Sequence, residues 1–500
     1  MKERPEYELK RRLVVGRLIV YCGERTGSVI IIFMSLLSNI GTFYDKILAS
    51  EGGAKEIIAE RYGETITPNM RALRLSMTVA DYLVAMGVAA SDVTDVCLSI
   101  TDRYCERKVS IEIIATVLMF SQDRGNEREP LTLIRSVHSR EVNSALIQDI
   151  EDIVNEIHEG KLSLDTAEVR LEKLLEKPKT YPQWALILGS SSISAGTGAL
   201  LSGSPLMITL SFIVGGFISY MLIVLTKLRM PAFFIQVIAA AIATLIAALV
   251  TWLGNHGVAQ LQGLDPNLII IGGIIMLVAG LAIVSAVEDA IDEYYITANA
   301  RILRVVMLTA GIIFGIVVGL YIAKNLGVNM AINTNRGLDG TIGWQYVGAT
   351  VIAAGYALSV NTRFSGIILS GLIGAGGWAV YSLTTPIFTP VVGSFLAASA
   401  VGAGAALLAR WLRTPASTMI TAGIISLVPG LSLFNGLMVI IIGADKAGSS
   451  LEFGTLILLN ALLLALAIAA GASFGNLVAR PVRRTLILAH NALPRRKLNS

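Results

Sequence analysis

GIIMLVAGL, residues 273–281, returns 150 positions later as GIISLVPGL, residues 423–431, with seven of nine residues identical. A second pair of strings, GGFISY at 215–220 and GGWAVY at 376–381, repeats at an offset of 161. The two pairs follow the same order along the chain. Their similar offsets indicate an internal repeat in the C-terminal part of the sequence.

The repeat lies in a chain that is 54% hydrophobic and contains 47 glycines, whereas only 15% of its 500 residues are charged. This composition is typical of a membrane protein rather than of a string of soluble domains. The charge is uneven, because 52 of the 76 Asp, Glu, Lys and Arg residues lie in positions 1–180. The net charge of +4 is too small and too dispersed to indicate nucleic-acid binding.

These changes in composition predict five regions: an N-terminal extension over 1–65, disordered or interfacial; a cytoplasmic α+β domain over 66–180; a first five-helix transmembrane repeat over 181–325; a second over 340–480; and a basic cytoplasmic tail over 481–500. In the α+β domain, Thr67 is the expected N-cap of a first helix and Ser91 that of a second. A strand is expected over about 109–120, followed by two more helices.

Ten apolar stretches near membrane length follow the α+β domain: 183–202, 205–225, 232–252, 267–287, 302–323, 343–360, 365–385, 389–409, 416–442 and 455–477. An even number of spans places both termini on one side of the membrane. With the first third in the cytoplasm, thirteen Lys and Arg residues fall in the inner loops and tail, against three in the outer loops. This positive-inside bias predicts that both termini are cytoplasmic.

Each copy of the repeat contains five spans, an odd number, so the second copy crosses the bilayer in the opposite sense to the first. The predicted fold is a polytopic α-helical membrane protein whose ten transmembrane helices form an inverted 5+5 repeat, preceded by the α+β domain. Rocking one such repeat against the other opens a central site to each side in turn. The pattern favours a transporter over an anchor or a receptor.

Pro429 and Gly430 predict a break in span nine, because proline removes a backbone donor and glycine permits a bend. Near the midplane, the start of a half-helix can hold a carboxylate and freed carbonyls can hold an ammonium group. A small zwitterion needs both, whereas a kink used only for packing is the alternative. The other candidate substrate-binding residues are Ser190, Ser191, Ser194, Thr197, Gly280, Thr297 and Asn435. The hydroxyls of span one also suit close helix packing.

Four carboxylates close span four on the cytoplasmic side and are candidates for proton coupling: Glu288, Asp289, Asp292 and Glu293. On a continued helix, the face that carries Asp289 also carries Thr297 and Arg301 at four-residue steps. Carboxylates this close raise one another's proton affinity, and Arg301 opposes that effect. A solvated loop at the bilayer surface is the alternative interpretation.

No predicted span contains a cysteine or a histidine, and the chain has no Walker-type glycine loop. ATP-driven transport and metal or cysteine chemistry inside the membrane are therefore disfavoured. We expect no metal and no cofactor, and we expect the energy for transport to come from an ion gradient.

The chain resembles the bacterial threonine/serine exporters, which join a cytoplasmic domain to ten spans in two portions. The resemblance covers about residues 70–480 and rests on five strings: GVAASDVTDVCLSI from Gly87, HSREVNSALIQDIEDIVNEIHEGKLSLDTAEVRLEKL from His138, PQWALILGSSSISAG from Pro182, DAIDEYYITANAR from Asp289 and GIISLVPGLSLFNGL from Gly423. It implies export of L-threonine and L-serine across the bacterial plasma membrane, driven by the proton-motive force. It also assigns five positions to the family's loop pattern: Asp289, Ala290, Ile291, Thr297 and Arg301. Glu293 stands where that pattern has a glycine.

Two other functions stay open. Related exporters carry dicarboxylates, so succinate is an alternative substrate, although its site should be more basic than the predicted spans. A membrane-anchored enzyme with its active site in 66–180 belongs to another class, but that region has no recognised nucleophile or metal pattern. The expected partners are the amino acid, protons and the lipid bilayer. The sequence leaves open the coupling stoichiometry and whether the protein forms a homo-oligomer.

Overall fold

The structure is a computed structural model of the whole chain. It describes residues 67–492 except for short internal gaps at 126–128, 139, 177–179, 263, 276, 278–279, 329, 331–339, 413–414, 429, 431, 433–434, 437–438 and 441–448. The predicted extension over 1–65 lies outside the described residues. Of the predicted tail, the structure describes the backbone as far as Ala492.

Residues 67–176, termed the N-terminal segment, form helices around a small sheet. Its elements are α1 Pro68–Ala85, α2 Ala90–Tyr104, β1 Val109–Ile114, β2 Val117–Gln122, β3 Leu131–Ser136, α3 Ser144–His158 and α4 Leu164–Leu175. The strands pair antiparallel in the order β1-β2-β3. One hydrophobic core joins all four helices to the sheet, and Leu73, Phe120 and Ile150 lie fully buried in it. The segment therefore has a core of its own, while its boundaries as a domain stay a prediction.

Local signals at the helix ends agree with the structure in part. The Thr67 hydroxyl accepts the amide of Met70 at 3.4 Å, as predicted. The expected cap at Ser91 is wrong, since α2 begins at Ala90 without a side-chain cap. The single strand expected over 109–120 is also wrong, because Ala115 adopts a φ of 52° and turns the chain into a hairpin.

The apolar part contains eleven described α-helices: α5 Gln183–Leu201, α6 Pro205–Lys227, α7 Ala232–Asn255, α8 Pro266–Ile274, α9 Gly280–Ile291, α10 Tyr295–Asn325, α11 Ile342–Ser359, α12 Phe364–Thr384, α13 Pro390–Leu412, α14 Ala416–Ile424 and α15 Ser449–Ala492. Among the described residues, seven of them are long and apolar enough to cross a membrane: α5, α6, α7, α10, α12, α13 and α15. Predicted spans four and nine are broken, and α11 is not among the seven. The chain is thus a helical protein consistent with a polytopic membrane protein, and the count of ten spans stays a prediction.

The helices before and after residue 330 pack in the same pattern. The contact between α5 and α6 corresponds to the contact between α11 and α12. In the same way, the contact between α7 and α10 corresponds to the contact between α13 and α15. Likewise, α8 packs against α6 and α7, whereas α14 packs against α12 and α13. We call α5–α10 the first half and α11–α15 the second half.

Glycines bring the backbones of two helix pairs into contact at corresponding places. A Cβ added to Gly311 of α10 would lie 3.0 Å from the carbonyl oxygen of Phe233 in α7. A Cβ added to Gly471 of α15 would meet the carbonyl oxygen of Phe395 in α13. The next glycine one turn later on each helix repeats the arrangement. The offsets are 160 between the glycines and 162 between the phenylalanines, close to the 161 of the sequence strings.

The first helices of the two halves, α5 and α11, cross through four glycines. Gly189 packs against Gly355, whereas Gly196 packs against Gly348. A Cβ added to Gly348 would lie 2.6 Å from the carbonyl oxygen of Gly196, so both backbones are in contact. Residue numbers rise along α5 as they fall along α11, and these two helices are therefore antiparallel.

Large apolar side chains cover the outer faces of several helices. Ile213 of α6, Phe314 of α10 and Leu456 of α15 are all more than half exposed. Helices that are apolar on their exposed faces are typical of a lipid-facing surface.

Candidate functional site: a central cavity

A cavity of about 800 Å³ lies between the two halves. Its walls come from α5 and α7–α10 of the first half and from α11–α15 of the second, with further residues from the N-terminal segment. Small-molecule sites usually have volumes of roughly 300–1,000 Å³. The cavity is therefore large enough for a small solute with some water.

Both helix breaks line this cavity. α8 ends at Ile274, and the amide of Leu277 donates to the Ile274 carbonyl at 2.7 Å. α14 ends at Ile424, and the amide of Leu427 donates to the Ile424 carbonyl at 2.8 Å. The two turns lie 150 positions apart, like the nonapeptide strings. The predicted break in span nine is confirmed, but it begins before Pro429, which lies outside the described residues.

Three residues of the cavity wall each carry a buried polar side-chain atom that has no hydrogen-bond partner within the described part of the chain. The atoms are Oε1 of Gln236 in α7, Nε1 of Trp378 in α12 and Oγ of Ser426 in the second break. Trp378 is only 3% exposed. An unpaired buried polar atom costs about 1–3 kcal/mol, so a ligand that pairs with it gains affinity. None of the three is predicted from the sequence, although Trp378 lies in the repeated string GGWAVY.

Three of the predicted substrate-binding residues line the cavity: Thr197, Gly430 and Asn435. The Thr197 hydroxyl donates to the carbonyl of Ile193 at 2.9 Å, which leaves its oxygen free to accept a hydrogen bond. The buried Gly430 lies just beyond the break, where its amide donates to the Val428 carbonyl at 2.8 Å. The cavity thus combines hydroxyl, amide and backbone groups from both halves.

The serines of span one lie at a helix contact and not on the cavity wall. Ser191 and Ser194 pack against two adjacent glycines of α6. The hydroxyls of Ser190 and Ser191 donate to carbonyls of their own helix at 3.3 and 2.9 Å. These contacts favour the packing interpretation for the serines. Gly280, another of the predicted substrate-binding residues, is the first residue of α9.

The acidic cluster lies at the elbow between α9 and α10. α9 ends at Ile291 and α10 begins at Tyr295, and Glu293 between them adopts a φ of 69°, a conformation that favours glycine. The expected continued helix is therefore wrong, and the exposed Glu293 occupies the turn itself. Asp289 and Arg301 nevertheless meet across the elbow, with Nη1 of Arg301 3.0 Å from Oδ2 of Asp289.

The same elbow binds the N-terminal segment at the start of α2. The Asp289 carboxylate is fully buried and accepts the amide of Ala90 at 3.3 Å. Asp292 accepts the Ser91 hydroxyl at 2.6 Å. A carboxylate at a helix N-terminus is stabilised by the unpaired amides there. Asp289 therefore pairs with the first backbone amide of α2, and Asp292 holds the side chain of the next residue.

Thr297 and Arg301 extend this contact to other parts of the segment. The Thr297 hydroxyl donates to the Ile113 carbonyl at 3.1 Å and accepts the Ala115 amide at 3.0 Å, at the β1–β2 turn. Nη2 of Arg301 donates to the Val88 carbonyl at 3.3 Å. The structure thus places Thr297 away from the cavity wall, whereas Arg301 reaches both the cavity and the segment.

Two carboxyl groups of the elbow hold protons more tightly than usual. Burial raises the pKa of Glu288 to about 8, the nearby charges of Asp92, Asp289 and Asp292 add to the effect, and Arg301 opposes it. Burial also raises the pKa of Asp289, although Arg301 and a backbone hydrogen bond lower it. Glu288 can therefore gain and lose a proton near neutral pH.

Comparisons with known proteins follow the division of the chain into halves. A threonine/serine exporter family model matches residues 74–323, and a second, described as "Threonine/Serine exporter, ThrE", matches residues 345–478. A Mycobacterium tuberculosis protein named "Probable threonine/serine exporter" is 27% identical over 432 residues, which cover 83% of this chain and 77% of the relative. A Corynebacterium glutamicum protein named "Threonine/serine exporter" is 27% identical over 417 residues, 82% of this chain and 83% of the relative. No solved structure matches the chain.

Proposed function

Because the chain belongs to the threonine/serine exporter family, we propose that it is a secondary active exporter of L-threonine and L-serine, driven by the proton-motive force across a bacterial plasma membrane. The names of the two relatives support an amino-acid substrate. The observation that carries the proposal is the cavity, because both broken helices and several unpaired polar atoms line it together. An amino acid carries a carboxylate, an ammonium group and here a hydroxyl, and it needs donors and acceptors of this kind.

The proposed architecture is an inverted 5+5 repeat with ten crossings, in which spans four and nine cross as broken helices. The antiparallel crossing of α5 and α11 supports it, since a two-fold axis in the membrane plane relates first helices in that way. The matching glycine contacts of α10 and α15 support it further. Both termini and the domain over residues 66–180 lie on the cytoplasmic side in this arrangement, in agreement with the positive-inside bias.

Recognition of the amino acid is assigned to groups from both halves. Nε1 of Trp378 donates to the carboxylate, and Oε1 of Gln236 accepts from the ammonium group. Ser426, Thr197 and Asn435 bind the side-chain hydroxyl. Freed backbone groups of the two breaks, next to Gly280 and to Pro429-Gly430, complete the site.

Proton exchange is assigned to the elbow, with Glu288 and Asp289 as the groups that titrate and Arg301 as their counter-charge. The raised pKa of both carboxyl groups and the contact of Arg301 with the cavity support this assignment. Asp292 and Glu293 add negative charge to the same cluster. A proton on Asp289 weakens its attraction for Arg301, which links protonation to one wall of the cavity.

A small dicarboxylate such as succinate is a second candidate substrate. The observation in its favour is that Arg301 and Arg304 both line the cavity. Arg301, however, is already paired with Asp289. The family consists of transporters, and we propose no enzymatic role for residues 66–180.

Uptake into inside-out membrane vesicles tests the function. Labelled threonine, serine and succinate are compared with and without an imposed proton gradient. We expect uptake of threonine and serine that increases with the gradient, and no uptake of succinate. Uptake of succinate without uptake of threonine or serine would show that the substrate is a dicarboxylate. Uptake that does not change with the proton gradient would show that transport is not driven by protons.

A further inference from the structure

The N-terminal segment also binds the second half, at a contact separate from the elbow. The amides of Ser144 and Ala145, at the start of α3, donate to the carbonyls of Val360 and Asn361, just after α11, at 2.8 and 3.3 Å. The first amides of one helix thus pair with the last carbonyls of another, so the opposite ends of two helix dipoles meet.

Side chains reinforce this second contact. Nδ2 of Asn361 donates to Oδ1 of Asn143 at 2.7 Å, and Asn361 is only 1% exposed with a φ of 60°. Arg363 forms an ion pair with Asp149 of α3. The hydroxyls of Ser144 and Thr418, in α14, lie 2.8 Å apart. A buried network with its members paired fixes one arrangement of two surfaces.

Between the two contacts, the segment forms one end of the cavity. Met86, Gly87 and Val88 from the α1–α2 turn, with Val142 and Ile147 from the start of α3, lie on the cavity wall. The segment therefore touches the first half at the elbow, the second half at residues 360–363 and 418, and the cavity between them.

We propose that the N-terminal segment is the cytoplasmic gate of the transport cavity, closed when both contacts are made. A body that is bonded to both halves holds them in one relative orientation, so rocking of the halves requires a contact to open. The contact that opens is the one with the second half, while the elbow stays bonded to the segment. Substrate enters from the cytoplasm only while the gate is open. The assignment rests on the proposed function in two respects, namely that the cavity carries the substrate and that the segment lies on the cytoplasmic side.

A reversible cross-link tests the gate. Ser144→Cys combined with Thr418→Cys places two thiols where hydroxyls lie 2.8 Å apart, within reach of a disulfide after small rotations. In proteoliposomes treated with copper phenanthroline, threonine transport should fall at least about tenfold, because the closed gate blocks a required conformational step. Dithiothreitol should restore transport.

Matched controls separate closure of the gate from oxidation damage. Each single variant and the wild type receive the same oxidant and should keep their transport. Ser121→Cys with Thr132→Cys places a cross-link between two strands inside the segment, where the hydroxyls lie 3.1 Å apart. That bridge should form and leave transport unchanged, since it does not connect the segment to the helices.

A second measurement does not depend on threonine. With Ser285→Cys as a reporter on the cavity wall, labelling of position 285 by a charged maleimide from the cytoplasmic side should also fall when the 144–418 bridge forms. If the bridge forms and both labelling and transport stay normal, the gate proposal is wrong. It is also wrong if the bridge does not form. Blocked labelling in a protein that does not transport threonine would leave the gate standing and overturn only the substrate assignment.

Discussion

Trp378 brings a buried indole N–H to the cavity wall, where no described residue accepts it. Trp378→Phe removes this donor and keeps most of the ring. We expect KM for threonine export to rise about tenfold, because a hydrogen bond to a charged group contributes about 1.5–3 kcal/mol and 1.4 kcal/mol corresponds to a factor of ten. Trp184→Phe, at a position that is 64% exposed on α5, is the control and should not change KM. If the two variants have the same KM, Trp378 does not bind the substrate.

Asp289 is the buried carboxylate that joins the elbow to both Arg301 and the N-terminal segment. Asp289→Asn keeps an oxygen that can accept the Ala90 amide but removes the charge and the titration. We expect uphill threonine efflux to be lost, by about tenfold or more, with normal amounts of protein in the membrane. Asp102→Asn, at an exposed carboxylate near the end of α2 and outside the elbow, is the control and should transport normally. Normal efflux by the Asp289 variant would discard its proton role.

Single residues of the elbow could be identified from the sequence, but their partners could not. The four-residue spacing of charged side chains predicted that Asp289 and Arg301 lie close together, and they form an ion pair in the structure. The contact of Asp289 with Ala90 joins residues 199 positions apart, and no local pattern reports such a pairing. Trp378 and Gln236 could not be identified for the same reason, since they reach one cavity from helices far apart in the sequence.

The elbow as an element should respond to pH through Glu288. Its pKa is raised to about 8 in the folded protein, against about 4.3 for an unperturbed glutamate. Between these values the folded state binds more protons than the unfolded state, so stability falls as pH rises from about 5 to about 8. Thermal unfolding of the purified protein should follow this trend, and Glu288→Gln should flatten it. An unchanged slope in the variant would assign the pH dependence to other groups, with Glu151 of α3 next, because burial raises its pKa to about 7.

The packing of α15 on α13 depends on glycine at one face. A Cβ at Gly475 would meet the backbone of Ser399, which cannot move aside as a side chain can. Gly475→Ala should lower stability by about 1–3 kcal/mol, measured as a lower Tm in detergent. Gly376→Ala in α12, where a Cβ meets nothing within 4 Å, is the matched control. Equal Tm values for the two variants would contradict the close contact.

Elements were predicted better where the pattern is local. Apolar length identified the seven helices that are long and apolar enough to cross a membrane, and Pro429-Gly430 indicated the break in span nine. Span four has no proline and breaks at the corresponding place, after Ile274, where only comparison with its repeat gives a signal. The β1–β2 hairpin escaped prediction because Ala115, not glycine, takes the left-handed conformation of its turn.

Across the whole molecule, the two halves enclose one cavity and the N-terminal segment bridges them. The antiparallel crossing of α5 and α11 agrees with the inverted arrangement that the odd number of spans predicts. Gly273 and Gly423, which occupy the same place in the two nonapeptide strings, both lie at close contacts with neighbouring helices. The position of the N-terminal segment against the cavity could not be predicted from the sequence. It depends on hydrogen bonds between residues about 200 positions apart.

In the proposed mechanism, the cavity between the two halves opens to each side of the membrane in turn. Ser426→Cys, at the second break, gives a reporter on the cavity wall, and the wild type gives the background of the native cysteines. A membrane-impermeant thiol reagent should label position 426 in inside-out and in right-side-out vesicles, and threonine should protect it in both. Labelling from one side only, whatever the proton gradient, would contradict alternating access through this cavity.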